Sequence, residues 1–579
     1  MDTIKMNTSV LIIGAGAAGA KSAIELMKNG VEPLVVSKRD LGDAHTTWAR
    51  GGINASLGNL DPEDSWEIHA ADTLDEGHFI NDPEAVIEVC KNMPDVITEL
   101  NEWGMELNKT EDGLIDQRYF GAQSFRRTCF AGDYTGESLL NALVSKAQDL
   151  EIPYEDDIYI TKILTEDNEA YGAVGLDISS GDLVVIYADK VVIAAGGYTS
   201  VYNRHSSRDL ENTGDGAGLA YEAGAELKDM EFIQFHPTGM VGDRYGEDWD
   251  GRLVTEAVRG EGGRLYNNEG ERFMKKYSPK QMELDARDVV ARAIEEEIRA
   301  GRGTEHGGVY LDISHKDEEF IKERLPRMYE RFQSLDVDIS EEPMEVAPTA
   351  HYAMGGVEFN PKTGETSVQD LHVLGESTAG VHGANRLGGN SLAETVSIGT
   401  VVGQYIANQN PTPPSYNKAE QIENEKQRML NIADNSGSYN PEELIAKLRV
   451  IMENYAGIRR NKELLEKGLQ EIENIEEKYR KELSIEDELT SIQMEKANNL
   501  KFMIIVAKAT IYGAIHREES RGAHFRTDHT EKDKNYRLNL IQDKYNDELQ
   551  LQTKQVKDIP KDIQKVVDEE HELDYHHLE

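Results

Sequence analysis

Val10-Leu11-Ile12-Ile13-Gly14-Ala15-Gly16-Ala17-Ala18-Gly19 decides the fold. Four apolar residues read as a short buried strand, and a Gly-x-Gly-x-x-Gly turn follows them directly. Ala20 to Lys28 then has helical spacing, Gly30 stops the helix, and Pro33-Leu34-Val35-Val36 makes the next strand. In such a unit Gly14 permits the tight turn, Gly16 lets a pyrophosphate approach the backbone, and Gly19 lets helix and strand pack closely. The helix N-terminus, at Ala17 and Ala18, faces the phosphates. This is the pattern of a dinucleotide site. The second strand of a standard NAD site ends in an Asp or Glu for the adenosine ribose; here Ser37 and Lys38 stand there, which makes FAD the better candidate.

The remaining sequence sets limits. Its 579 residues suffice for about four average domains, and 39% hydrophobic residues with 50 Gly and 16 Pro make an ordinary globular composition. Lys and Arg number 62 against 107 Asp and Glu, a net charge of −45. That speaks against a nucleic-acid partner, because most of such a surface repels a phosphate backbone. An anionic ligand therefore needs locally concentrated positive charge. The two cysteines, Cys90 and Cys129, supply neither a disulfide framework nor a four-thiolate metal site, and point to a reduced, intracellular compartment. No apolar run reaches the ~18 residues of a membrane-spanning helix. Further strands are expected at 173–176, 182–186 and 190–197, charge-rich helices at 279–300 and 317–333, and a helix from Ser391. Pro411, Pro413 and Pro414 mark a linker to a strongly helical region at 441–515, and the polar last forty residues read in part as a loosely held tail.

Several short stretches carry chemistry-bearing side chains, each ambiguous alone. His236 stands on the apolar run Phe232-Ile233-Gln234-Phe235-His236-Pro237-Thr238-Gly239, where a satisfied core histidine is the plain alternative. Glu256 and Arg259, in Thr255-Glu256-Ala257-Val258-Arg259-Gly260, have the spacing of an ordinary helical ion pair. Arg287, in Leu284-Asp285-Ala286-Arg287-Asp288, reads equally as a solvated helix start. Asp215 lies in Gly214-Asp215-Gly216-Ala217-Gly218, His351 in Pro348-Thr349-Ala350-His351-Tyr352, and Glu376 in Gly375-Glu376-Ser377. Arg386 lies in His382-Gly383-Ala384-Asn385-Arg386-Leu387-Gly388-Gly389-Asn390-Ser391-Leu392.

Together and in this order, with Glu518-Glu519-Ser520-Arg521-Gly522-Ala523-His524 near the C-terminus, these stretches resemble the flavoprotein subunit of succinate dehydrogenase and fumarate reductase, within a wider family that includes L-aspartate oxidase. The resemblance runs from about residue 8 to about residue 536. It implies an α/β fold: an FAD-binding Rossmann-like domain (1–236 and 348–410) split by an inserted capping domain (237–347), then a C-terminal helical domain (411–525) and a charged C-terminal segment (526–579). It implies that the first strand–turn–helix, Ser37, Lys38, Thr46, Gly51, Gly52, Asp215, Glu376, Arg386, Ser391 and Leu392 line the flavin site, with Glu376 accepting hydrogen bonds from the adenosine ribose. His236, Thr255, His351 and Arg386 match the positions that hold the two carboxylates of fumarate or succinate. Arg287 matches the proton donor opposite the hydride, and Glu256 and Arg259 the relay that resupplies it. The chemistry agrees, since arginine's planar fork suits carboxylates and polarising one carboxylate stabilises charge developing at the neighbouring double bond. His45, in Asp43-Ala44-His45-Thr46-Thr47-Trp48-Ala49-Arg50-Gly51-Gly52, matches the histidine that bonds covalently to the flavin 8α-methyl, although Ala44 replaces the usual Ser and Trp48-Ala49-Arg50 is atypical.

L-Aspartate oxidase is the first alternative, but Phe120 stands where that enzyme carries a Glu for the substrate's ammonium. A flavin-bound assembly subunit without turnover would not need His236, Arg259, Arg287, His351 and Arg386 together. Two cysteines cannot hold a cluster relay, so the resemblance implies a separate iron–sulfur subunit which in turn reaches a membrane anchor, with the chain cytoplasmic and peripheral on the inner face of the cell membrane. A soluble fumarate reductase using another donor is the remaining alternative, and the physiological direction stays open.

Overall fold

In the computed structural model the described residues are 1–414, 420–434, 437–485, 492–545 and 548–569. β1 (Thr3–Ile13) leads through the glycine turn into α1 (Ala17–Lys28) and β2 (Pro33–Val36). The run Val10–Ile13 pairs in parallel on both sides, with Pro33–Val36 and with Lys190–Ile193. A central parallel strand is covered on both faces, which is why Val10, Leu11 and Ile12 are fully buried and unbroken by polar residues. The sheet has seven strands, in the order Tyr154–Glu155, β2, β1, β3 (Leu183–Ile193), Glu169–Asp177 and Ile158–Glu166, with Leu371–Val373 also pairing with β3. The runs expected as two strands at 182–186 and 190–197 are one. Leu183–Tyr187 pairs antiparallel with Gly172–Leu176, and Val191–Ile193 pairs parallel with Leu371–Val373, so one strand serves two neighbours without a turn. Because Leu371–Val373 rejoins the sheet beside β3, the 375–392 stretch arrives at the same strand ends as the glycine turn.

Between these halves lies an insertion with its own core. β4 (Ile233–Met240), β5 (Met344–Ala353), Val309–Asp312 and Arg264–Tyr266 form a four-stranded antiparallel sheet in that spatial order. Met240, Val258, Leu265, Ile294, Phe332 and Val346 pack together on it. The helix expected over 279–300 is α2 (Arg287–Glu297), and the one expected over 317–333 is two, Glu318–Arg324 and Pro326–Gln333. Pro326 causes that break, since it has no N–H for the preceding turn and its ring crowds it. α3 (Asn390–Asn408) returns to pack along α1.

Beyond Pro414, helices Pro441–Ala456, Lys462–Glu482 and Ile492–His516 pack on one another, while 486–491 lie outside the described residues. Asn440 and Asn461 cap the first two, accepting the N–H of Glu443 and Leu464 at 2.9 Å each. Much of the polar C-terminal stretch, expected to be in part a loosely held tail, forms defined elements, and 570–579 lie outside the described residues. Leu538–Tyr545 and Glu548–Gln555 form a hairpin, the first strand of which pairs with Leu227–Lys228, and Lys561–Asp568 packs on Trp66–Glu76 with Ile563 fully buried. Specific polar contacts hold it: Asp229 accepts from Leu540 N at 2.8 Å, and Arg517 donates to the carbonyls of Tyr536 and Leu538 at 3.0 and 3.1 Å. Among the described residues no helix is long and apolar enough to cross a membrane.

Candidate active site

A cleft of about 1670 Å³, counted out to its mouth, runs from the glycine turn to the inserted sheet. Of the residues singled out in the sequence, Gly19 and Arg259 lie off its wall; all the others line it, including Phe120, Thr46, Gly51, Gly52, Ser391 and Leu392.

The three fingerprint glycines differ in what each avoids. At Gly14 (φ +111°) a Cβ would meet Ala194 O at 2.3 Å, and at Gly19 it would meet Gly14 O at 2.0 Å, so the protein's own backbone excludes a side chain at both. At Gly16 the nearest atoms would be Thr46 Oγ1 at 3.4 Å and Ala44 Cβ at 3.9 Å, which is ordinary contact. Only a ligand drawn against this backbone requires glycine there. α1 has no acidic residue in its first turn, and Ala17 N donates to Thr46 Oγ1 at 3.1 Å. Its dipole and remaining N–H groups are what a pyrophosphate takes up. These residues fit FAD.

At the end of β2, Lys38 pairs with Asp215 at 2.9 Å, and Asp215 also accepts from Thr213 Oγ1 at 2.8 Å. Ser37 N donates to Glu155 O at 3.1 Å. Glu376 sits elsewhere: its Oε1 accepts from Ala353 N at 3.0 Å, and its titratable neighbours are His45, Arg386 and Glu394. Burial pushes its carboxyl up to about 7, against the pull of the Ala353 N–H. Glu376 thus stands with the groups at the His45 and Arg386 end of the cleft, while Ser37 and Lys38 mark the end of β2. His45 opens a short 3₁₀ turn; its Nδ1 is 3.6 Å from Glu211 Oε2, and neither atom has a hydrogen-bond partner among the described residues.

The far end collects donors. β-bulges interrupt the β4–β5 register at Gln234/Phe235 and His236/Gly239, and the rings of His236 and His351 stand there edge to face, 5.2 Å apart. His236 Nδ1 accepts from Thr238 N at 3.2 Å, so its proton is on Nε2, which has no partner. His351 Nδ1 meets Ser206 Oγ at 2.7 Å. Burial first, then Arg287, holds His236 far below the usual histidine range, and burial with Arg386 does the same to His351. Both shifts favour the neutral ring over the cation. Thr255 Oγ1 accepts from Ala257 N at 3.3 Å and keeps its hydroxyl proton free to donate. Arg386 is 2% exposed, and its guanidinium makes no hydrogen bond or ion pair among the described residues; it lies 4.4 Å from the centre of the Tyr352 ring. Burial, then Arg287, draws it down to about 9.

Arg287 opens α2 and donates from Nε to Glu256 Oε2 at 2.7 Å, from Nη2 to the same oxygen, and from Nη1 to Gln234 Oε1 at 2.9 Å. Glu256 Oε1 accepts from Gly121 N at 2.9 Å. Burial alone would raise Glu256, but Arg287, Arg259 and the Gly121 N–H outweigh it and hold the carboxyl at about 2. Arg259 Nη2 stands 3.8 Å behind Glu256 Oε2. Arg287, Glu256 and Arg259 thus form a buried file leading inward from the cleft. With Arg386, three cations against one carboxylate make this end positive in a chain of charge −45.

Sequence reasoning misses several contributors. Gln234, fully buried, joins Arg287 to Asn385 Oδ1 at 2.9 Å and to Arg386 O at 2.8 Å. Its place two residues before His236 on one strand is the available signal. Tyr352, beneath Arg386, and Ser206, behind His351, carry none.

Residues 9–392 match the family described as FAD binding domain, and residues 445–567 the one described as fumarate reductase flavoprotein C-term. The chain is 42% identical over 542 residues to one component of the fumarate reductase (CoM/CoB) of Methanothermobacter marburgensis, covering 93% of this chain and 98% of that protein. It is 37% identical over 548 residues to the succinate dehydrogenase flavoprotein subunit of Rickettsia conorii, covering 90% of each. Among solved structures, E. coli quinol fumarate reductase FrdA has a TM-score of 0.89 at 32% identity, covering 96% of this chain and 98% of that one. The chain therefore belongs to the family of succinate dehydrogenase and fumarate reductase flavoprotein subunits, and is an FAD-dependent oxidoreductase.

Proposed function

We propose that this protein interconverts fumarate and succinate. Arg386 carries the reading: a buried guanidinium without an anion of its own, beside the unpartnered Nε2–H of His236. Burying an unpaired charge costs several kcal/mol, so a bound anion completes the site. Donors from Arg386, His351, His236 and Thr255 suit an anion with two carboxylates. When bound, FAD supplies hydride exchange with a substrate carbon. The chain's own residues hold the acid, polarise one carboxylate and manage the proton. Arg287 faces the cleft and delivers a proton to the second carbon of the double bond. Arginine ordinarily keeps its proton to above about pH 12, so delivery requires immediate resupply, and Glu256 with Arg259 behind it provides that. Phe120 lines the same cleft, 2% exposed, and offers no carboxylate to an ammonium, which disfavours aspartate oxidation.

Three finer points belong to the same reading. FAD is bonded covalently to His45, whose turn lies on the cleft wall with Nδ1 unbonded. Electrons pass to or from an iron–sulfur partner protein, and any membrane attachment comes through such partners. The 42% identity to a subunit of a fumarate reductase named for CoM/CoB favours fumarate reduction over the reverse direction.

The test is turnover by the FAD-loaded protein in both directions: fumarate with a reduced dye, and succinate with an oxidised one, beside L-aspartate with oxygen. Arg287→Ala is expected to lose turnover by about 10²-fold or more while still binding dicarboxylate. Substantial turnover by that variant would remove Arg287 from the role, and iminoaspartate as the main product would overturn the reading.

A further inference from the structure

Three arginines, Arg50 on the cleft wall and Arg252 and Arg331 packed behind it, have no carboxylate within ion-pair distance among the described residues. Arg50 is on the loop after the His45 turn, Arg252 leads into Thr255, and Arg331 is on the helix Pro326–Gln333. Indole rings tie two of them, Arg252 and Arg331, together. Arg252 lies 5.2 Å from the Trp48 ring centre and 4.6 Å from that of Trp249, and Arg331 lies 5.8 Å from Trp249. Arg331 Nη1 donates to Leu253 O at 3.2 Å. Trp48, Arg50 and Leu253 line the cleft, and Arg252, Trp249 and Arg331 pack behind that stretch of its wall.

The carboxylates facing the cluster are already engaged or exposed. Asp133 accepts the N–H of Arg327 at 2.9 Å and of Met328 at 2.8 Å. Glu137 stands 3.7 Å from Arg327 Nη2, and Asp248 is exposed. Burial, followed by the nearness of Arg50 and Arg252, draws Arg331 down to about 10. Mutually repelling, half-buried cations are a standing cost unless anions visit them. On a surface of net charge −45 a dianion is repelled almost everywhere, and low-dielectric cleft walls lined by one sign of charge focus the field that overcomes this.

We propose that Arg50, Arg252 and Arg331 form an anion-collecting mouth that draws the dianionic substrate across an acidic surface into the cleft. The proposal rests on the dicarboxylate reading above. It gives the atypical Trp48-Ala49-Arg50 loop a function: Arg50 supplies charge, and Trp48 a face on which Arg252 lies.

The test compares wild type with R50Q/R252Q/R331Q and with the charge-keeping R50K/R252K/R331K, each loaded with FAD. Malonate binding by calorimetry reads the mouth without turnover, since malonate has no CH–CH bond to oxidise. Fumarate kcat/KM against ionic strength reads it with turnover. In the Gln variant both quantities are expected to fall about tenfold at low salt, with kcat retained, and the deficit to close as salt shortens the Debye length to a few ångströms. The Lys variant is expected to stay near wild type. A Gln variant within twofold of wild type at low salt would overturn the proposal, as would a Lys variant as impaired as the Gln one, since stacking on tryptophan would then be the whole role. Malonate binding that depends on the arginines, with no fumarate turnover in wild type, would refute the proposed function while keeping the mouth.

Discussion

Replacing Arg386 by Met should separate stability from binding in opposite directions. In the ligand-free protein its guanidinium has no anionic partner, and burial with Arg287 brings it from arginine's ordinary value to about 9. At ~1.36 kcal/mol per pKa unit, that resistance to holding the charge amounts to about 4–5 kcal/mol, partly offset by the Tyr352 ring face. Met fills similar volume without charge, so ligand-free R386M should be as stable as wild type or more stable, by as much as a few kcal/mol. Dicarboxylate binding should move the other way. Truncating one partner of a buried, hydrogen-bonded charge pair costs about 2–5 kcal/mol, roughly a 30-fold to several-thousand-fold loss of affinity. The assay is denaturant unfolding of both ligand-free proteins beside calorimetric titration of the FAD-loaded forms with malonate and succinate. If R386M loses more than about 2 kcal/mol of ligand-free stability, Arg386 is a structural cation. If it binds dicarboxylate like wild type, the site is elsewhere.

Other expectations follow from the same geometry. Gly16→Ala should fold normally yet bind FAD weakly, whereas Gly19→Ala should lower stability itself, because its Cβ would meet Gly14 O at 2.0 Å; thermal unfolding and flavin content distinguish the two. Glu376 is raised to about 7 by burial, so its contribution to FAD-free stability is full below about pH 4.5 and lost as pH rises toward 7. Relative to wild type, E376Q should therefore gain about 3 kcal/mol across that window, and parallel profiles in urea unfolding would contradict it. Acid-precipitated protein should retain flavin as a mass adduct on the His45 peptide; complete release into the supernatant would show noncovalent FAD.

Much of the fold is legible from local pattern. The strand–turn–helix at 10–28 is specified by a run of apolar residues, three glycines and helical spacing, all within a few residues of each other. The single strand Leu183–Ile193 reads as two in the sequence because Asp189 interrupts the apolar pattern, while the pairing that spans it comes from strands far away in sequence. The C-terminal hairpin escapes for a related reason: its order comes from Asp229 and Arg517, which composition does not connect to residues 538–555.

For the site, the sequence by itself determined which residue types were available and, through the glycine fingerprint and the order of the motifs, which cofactor and family to expect. Only the tertiary structure decided their electrostatics. Whether a histidine donates a proton or a charge depends on burial and neighbours, and here burial and nearby arginines favour the neutral rings of His236 and His351. Whether an arginine is a structural ion or a ligand-binding one depends on what lies within ion-pair distance. That distance ties Arg287 to Glu256 and leaves Arg386 without an anion, although the two residues carry the same side chain.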